Sequence, residues 1–289
     1  MVEAIYTMPI DIAPLKAWIG RHETTGDALA PFQAAALAAT LDRDEAFVAG
    51  DPLPPLWHWV YFQELHKTSE LAENGHARLG GFMPPVPLPR RMWAGGRFTF
   101  QRPLRIGQAG QRTSTIADLK AKQGESGGLV FLLLRHEFSG PDGTAVVEEQ
   151  DIVYREAPRP GEGMPAPRRS AEKPLWRHET TTSEALLFRY SALIFNAHRI
   201  HYDQPYCLRE GYPGLIVHGP LIATLLADLV RGNADAAMTA FRFRATSPLF
   251  GGSPCVACGV PQGRKVKLWA EDGDGGVVMA AEAELAERS

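Results

Sequence analysis

Hydrophobic and polar positions alternate along this chain with two different periods, and the change from one to the other marks out its parts. Leu221, Ile222, Leu225, Leu226, Leu229 and Val230 recur at helical spacing until Gly232, which predicts a helix with one strongly apolar face. Beyond it the period is two. Phe241 and Phe243 alternate with Arg242 and Arg244, Val266 and Leu268 with Lys265 and Lys267, and Val277, Met279, Ala281, Ala283 and Leu285 share one side. That is the pattern of half-buried antiparallel strands. The first half has the same layout, with a helical stripe at Trp57, Val60, Tyr61 and Leu65 and strands expected over 96–106, 113–120, 129–138 and 145–154. Each half reads as one long helix followed by an antiparallel sheet able to curl around it, an α+β arrangement.

A weak internal repeat supports two units. His22-Glu23-Thr24-Thr25 returns as His178-Glu179-Thr180-Thr181 at an offset of 156, each copy preceding a helical stretch, and Phe98-x-Phe100 returns as Phe241-x-Phe243 at an offset of 143. The first copy therefore carries 13 additional residues, expected in the Pro-rich stretch 84–96. Residues 156–174 (EAPRPGEGMPAPRRSAEKP) have the composition of a linker. The expected division is a first domain over 1–155, a linker over 156–174 and a second domain over 175–289.

At 289 residues the chain can bury two cores. Its 30 basic and 33 acidic residues nearly cancel, so no field draws it onto a polyanion, and nucleic acid is excluded as a partner. No apolar run is long enough to span a membrane, the N-terminus lacks the pattern of a secretory signal, and the expected location is the cytoplasm. The three cysteines, Cys207, Cys255 and Cys258, are too few for a disulfide framework. Cys255 and Cys258 form a CxxC, but no further ligands lie nearby and both sit beside a strand pattern, so they read as packing thiols.

The chemistry concentrates in one place. Asn196, His198, Arg199, His201, Tyr202 and Asp203 lie within eight residues, and His218-Gly219 follows at the start of the apolar helix. An N–H at a helix N-terminus is unpaired and favours negative charge. Gly219 is thus a candidate donor to an oxyanion, and His201, which can titrate near neutrality, is a candidate acid/base. A metal held by His198, His201 and Asp203 lacks a clear further ligand and is not expected.

The segment FNAHRIHYDQPYCLREGYPGLIVHGPLIATLL resembles the hydratase motif of MaoC-like hot-dog-fold enoyl-thioester hydratases and dehydratases. The whole chain resembles their two-domain form with a degenerate first half. The resemblance implies a double hot-dog, a hydro-lyase needing no cofactor, and an acyl-CoA or carrier-bound substrate, a short branched dicarboxylic acyl-CoA such as mesaconyl-CoA or a fatty-acid-type 3-hydroxyacyl thioester. It places the catalytic histidine on His201 and the oxyanion glycine on Gly219. The family's aspartate falls on Asn196 and its asparagine on His198. An amide cannot accept a proton, so either His201 works alone with Asn196 as positioner, the preferred reading, or Asp203 or His198 supplies the second group. His218 and Tyr202 are further candidates to line the site. Arg90, Arg91, Arg242 and Arg244 are candidates for the CoA head, and Arg199 for a free substrate carboxylate. The first half shows no comparable constellation and reads as scaffold. A hot-dog thioesterase would need a carboxylate or nucleophile on the central helix, where only Thr224 and Asp228 are available. A non-catalytic acyl-thioester-binding subunit is the third reading, and a homodimer of such chains is an open alternative to a monomer.

Overall fold

The alternating segments form strands that pair, through the two central ones, into one sheet. The computed structural model describes residues 10–124, 127–157 and 166–287. The first half comprises β1 (His22–Asp27), α1 (Pro31–Thr40), β2 (Arg90–Phe100), β3 (Gly110–Gly124), β4 (Gly127–Gly140) and β5 (Gly143–Arg155). The second comprises β6 (Trp176–Thr181), α2 (Glu184–Leu193), α3 (Gln204–Arg209), α4 (Gly219–Arg231), β7 (Met238–Ala245), β8 (Pro254–Gln262), β9 (Lys265–Glu271) and β10 (Val277–Leu285). The sheet order is β1-β3-β4-β5-β2-β7-β10-β9-β8-β6, which reads alike from either end once each strand is exchanged for its repeat partner. The two His-Glu-Thr-Thr copies are the edge strands β1 and β6, and α1 and α2 follow them. Of the expected linker, residues 158–165 lie outside the described residues.

The 13 extra residues are divided. The repeat offset is 153 at α1 and α2, so three precede α1, five lie in the connection from α1 to β2, and five lengthen the start of β2 ahead of Phe98. The stretch expected to hold them is coil only to Pro89 and strand from Arg90 onward.

The halves join where β2 pairs antiparallel with β7, with Phe98 opposite Phe241 and Gly96 opposite Phe243. Their rings gather on the helix-facing side, Phe98 lying 6.1 Å from Phe241 and 6.2 Å from Phe243. A Cβ on Gly96 would stand 3.0 Å from the Phe243 ring and 3.1 Å from that of Phe98. Glycine here makes room for the aromatic seam.

Helix α4 is enclosed rather than one-faced: every residue from Leu221 to Val230 is buried. Its polar positions are therefore occupied by partners. Thr224 bonds back to the Pro220 carbonyl at 2.9 Å. Asp228, 2% exposed, accepts from the Trp57 indole at 3.1 Å and pairs with Arg43 at 3.1 Å and Arg231 at 3.2 Å. The central helix is thus fastened to the first half through a buried carboxylate that already has its partners. Asp228→Ala leaves Arg43 and the Trp57 indole N–H without their shared acceptor, while Arg231 keeps Glu45, and is expected to lower unfolding free energy by about 3 kcal/mol. Denaturant titration checks this; a loss under about 1 kcal/mol would remove the strut.

The first half has no long central helix. Trp57–Val60 is a single 3-10 turn, bounded by Leu56 at φ 68° and Phe62 at φ 58° and preceded by Pro54 and Pro55, which cannot continue a helix backwards. Leu65, expected on its apolar stripe, is 79% exposed. In the helix's place the turn, the coil carrying Val86 and Leu88, and the segment around Leu15 cover the inner face of β3, β4 and β5. That face also holds a polar cluster which the sequence reading missed. Glu148 is fully buried and bonds His58 at 3.0 Å, the Trp59 indole at 3.1 Å and Gln150 at 2.6 Å. Burial alone would push its carboxyl up, but these donors hold it below the usual carboxylate value.

Cys255 and Cys258 face opposite sides of β8, one in the main core and the other beside Val256 and Trp269. Burial pushes the two thiols up to about 12 and about 11, the state of packing side chains rather than of a redox pair.

Candidate active site

His201 is held at two points. The Ile216 N–H donates to the Ile200 carbonyl at 2.8 Å, and the His201 Nδ1–H donates to the Ile216 carbonyl at 2.7 Å. A carbonyl can only accept, so Nδ1 carries the proton and Nε2 presents a lone pair. Nε2 has no partner among the described residues and keeps contact with solvent. Burial pulls the His201 pKa down to about 4, outweighing the Ile216 bond that raises it. At neutral pH the ring is an uncharged base.

His201 stands in a row of four imidazoles. His218 lies face to face with it, ring centroids 3.7 Å apart, and is itself bonded to the Ser191 hydroxyl at 2.7 Å. His198 is edge-on to His201 at 5.5 Å, and His76, from the first half, lies tilted against His198 at 4.0 Å. Burial, with mutual repulsion, pulls His198 down to about 3 and His76 and His218 well below the ordinary value. Among the described residues no group of three histidines, cysteines or carboxylates is arranged to hold a metal.

These depressed values imply acid sensitivity. The unfolded imidazoles bind protons below about pH 6.5, which the folded ones refuse. Stability present in full above that pH is therefore lost as pH falls through it. The thermal midpoint is expected to be lower at pH 5 than at pH 7.5, and an unchanged or higher midpoint would contradict the buried, neutral row.

Most neighbouring candidates turn out to build the loop. Asn196 accepts the His198 N–H at 2.9 Å, a local turn that sets the path into the 3-10 turn Arg199–His201. Asp203 caps α3 by accepting from the Tyr206 N–H at 3.0 Å, and its other oxygen takes Arg199 at 2.7 Å. Both oxygens are committed, which removes Asp203 as the second acid/base. Arg199, paired with Asp203 and bonded to the Glu73 carbonyl, is not the free cation that the carboxylate-binding expectation requires. Tyr202 is half exposed at the loop's outer side, at 51%.

Gly219 opens α4, followed by Pro220. Its N–H lies in the first turn and has no intrahelical acceptor. A Cβ built on it would meet nothing within 4 Å, and its φ is not in the left-handed region. The space before the helix N-terminus is open.

The other wall comes from the first half, through residues that local sequence reading could not connect with the motif. A tight turn at Asn74-Gly75 brings His76 against His198. The Arg199 N–H donates to the Asn74 carbonyl at 3.0 Å, and a Cβ on Gly75 (φ +88) would fall 1.7 Å from the Ala197 carbonyl oxygen. Only glycine permits that approach. The Asn-Gly-His string was the available signal, an Asn-Gly turn followed by a titratable residue.

Of the four arginines expected near a CoA head, Arg242 and Arg244 alternate with the core phenylalanines and so lie exposed on the opposite face of the sheet, Arg242 paired with Glu282 at 3.0 Å. Arg90 is committed to the Tyr212 hydroxyl, at 3.2 Å, and to the Glu210 carbonyl. Arg91 lies opposite Tyr154 across β2 and β5, on the inner face.

Comparison with known proteins accords with this geometry. The family model for hydroxyacyl-thioester dehydratase type 2 matches residues 56–251. The chain is 46% identical over 274 residues to a mesaconyl-C(4)-CoA hydratase of Chloroflexus aurantiacus, covering 93% of this chain and 97% of that one. In fold it is similar to a MaoC-like dehydratase from Phytophthora capsici (TM-score 0.66, 13% identity, 94% and 97% covered) and to a double hot-dog protein of Mycobacterium tuberculosis (TM-score 0.58, 14% identity, 92% and 96% covered). The chain belongs to the hydroxyacyl-thioester dehydratase type 2 family of MaoC-like double hot-dog proteins, and is a hydro-lyase that adds water to, or removes it from, an acyl thioester.

Proposed function

We propose that this chain hydrates the α,β double bond of a short branched dicarboxylic acyl-CoA such as mesaconyl-CoA, with His201 as acid and base and Gly219 as oxyanion donor. The observation that carries it is the Nδ1-protonated, neutral His201 beside an open helix N-terminus. Water attacks the β-carbon while His201 Nε2 takes one of its protons. Electrons of the double bond move onto the thioester oxygen, where the Gly219 N–H stabilises the charge. The same proton is then returned to the α-carbon, so one imidazole closes the cycle and the product gains one water. The charge of the enolate offsets the cost of protonating a buried ring.

Asn196 fits this scheme as a positioner. Its oxygen shapes the loop and its amide needs to accept no proton. The dicarboxylic substrate is supported by the relative at 46% identity, whose name specifies mesaconyl-C(4)-CoA. In this reading residues 175–289 perform the chemistry, residues 1–155 supply the opposite wall, and 156–174 connect them. The protein works in the cytoplasm, a reading supported by three free, buried thiols. Light scattering separates a homodimer from a monomer.

The test is a panel of enoyl-CoAs followed by loss of the conjugated thioester absorbance. Mesaconyl-CoA is expected to give the highest kcat/KM, above crotonyl-CoA and a longer trans-2-enoyl-CoA. A preference for the longest chain would replace this substrate class with the fatty-acid type.

A further inference from the structure

Arg91 stands apart from the other arginines around the site. Arg199 has Asp203, Arg209 has Glu73 and Arg90 has Glu210, whereas Arg91 enters no ion pair among the described residues. It is not on the outer surface either. Its cross-strand neighbour is Tyr154, and the same strand face continues through Trp93 to the aromatic seam. Directly opposed residues of an antiparallel pair bring their Cβ atoms to about 5 Å, so guanidinium and phenol share one patch. Tyr154 is 1% exposed, and the Arg91 guanidinium is the side chain that acts on its hydroxyl, which otherwise lacks a hydrogen-bond partner among the described residues. A buried phenol normally finds one.

The electrostatics around Arg91 are one-sided. The groups that act on His76 and His198 are Arg91 and other imidazoles, all disfavouring protonation, and no carboxylate opposes them. A guanidinium half-buried without an anion is an incomplete arrangement. The missing charge is negative, and the forked geometry of arginine suits a carboxylate.

We infer that Arg91 and the Tyr154 hydroxyl hold the free carboxylate of a dicarboxylic acyl thioester, on the first-half wall facing the His76–His198–His201 row. The inference rests on the hydratase reading and adds the element that selects the substrate. When the free carboxylate is borne by the β-carbon, the carbon that receives water, it must lie close to the acid/base. A cation two imidazoles away from His201 is suitably placed. The CoA phosphates are the other anions available, but a fully buried tyrosine is no part of a surface mouth. The expected holder, Arg199, is already neutralised by Asp203.

The experiment compares kcat/KM for mesaconyl-CoA and crotonyl-CoA in wild type, Arg91→Met and Tyr154→Phe. The ratio of the two constants is expected to fall about 100-fold in Arg91→Met and about 10-fold in Tyr154→Phe, with Arg91→Lys recovering part of the loss. A purely structural role would lower both substrates together and leave the ratio unchanged, which overturns the assignment even where Arg91→Met folds poorly, since Tyr154→Phe reads the same ratio. A wild type that hydrates crotonyl-CoA without preferring the dicarboxylic thioester overturns the carboxylate site and leaves the hydratase intact. A wild type that hydrates neither removes the reading on which both depend.

Discussion

His201→Ala should lose about 1,000-fold in kcat with an unchanged circular dichroism spectrum, because the variant keeps the wall and the oxyanion donor but has nothing to move a proton. General acid–base groups contribute about 100- to 10,000-fold. The upper part of that range applies here, since the groups beside His201 are not free to replace it: His218, face to face with it, is bonded to the Ser191 hydroxyl and burial holds it well below the ordinary imidazole value. Asp203 is committed at both oxygens, Asn196 has no acidic or basic function, and His198 at about 3 is too weak a base to substitute. The fold should survive, because among the described residues the ring's one hydrogen bond is to the Ile216 carbonyl, and the backbone bond from Ile216 to Ile200 remains. A fall of less than tenfold in steady-state turnover would take His201 out of the mechanism.

Gly219→Ala should lower kcat/KM about 100-fold while leaving the thermal midpoint within a few degrees. The two readouts are separable because the added methyl meets no protein atom within 4 Å and the backbone is not in the left-handed region. Alanine is also a better helix former than glycine. Whatever the methyl obstructs is therefore substrate. It would stand where the thioester oxygen must approach the N–H, and displacing that oxygen forfeits an interaction of about 3 kcal/mol in well-measured oxyanion holes. Unimpaired turnover would move the oxyanion site away from α4.

How much of this was legible in the sequence follows from how local each feature is. The strands were read from period two, and the repeat of His-Glu-Thr-Thr marked two copies each followed by a helix, because such landmarks are built from contiguous residues; that both copies are edge strands came only from the sheet order. His201 and Gly219 were found for the same reason, being 18 residues apart in one dense segment. The long first-half helix was misread from the Trp57 stripe: four apolar residues at helical spacing cannot outweigh the prolines before them and left-handed residues at both ends. Arg242 and Arg244 were correctly read as alternating with Phe241 and Phe243, but that alternation itself directs them away from the core side where the substrate lies. His76, Tyr154 and the inward orientation of Arg91 come from a turn and two strands more than 40 residues from the motif. Only the pairing of β2 with β5 and the Gly75 contact bring them to it. The Glu148 cluster was hidden likewise, since His58 and Glu148 are 90 residues apart and an inward-facing glutamate breaks the pattern used to find the core.

The most direct test of the central claim is to run the reaction in isotopically labelled water and determine by mass spectrometry where the label resides. Hydration at the Gly219–His201 site predicts one labelled oxygen on the β-carbon of an intact acyl-CoA, with no free thiol, and no such product from His201→Ala. Label in a released carboxylate with stoichiometric free CoA would instead mean that the site hydrolyses the thioester, and would contradict the account.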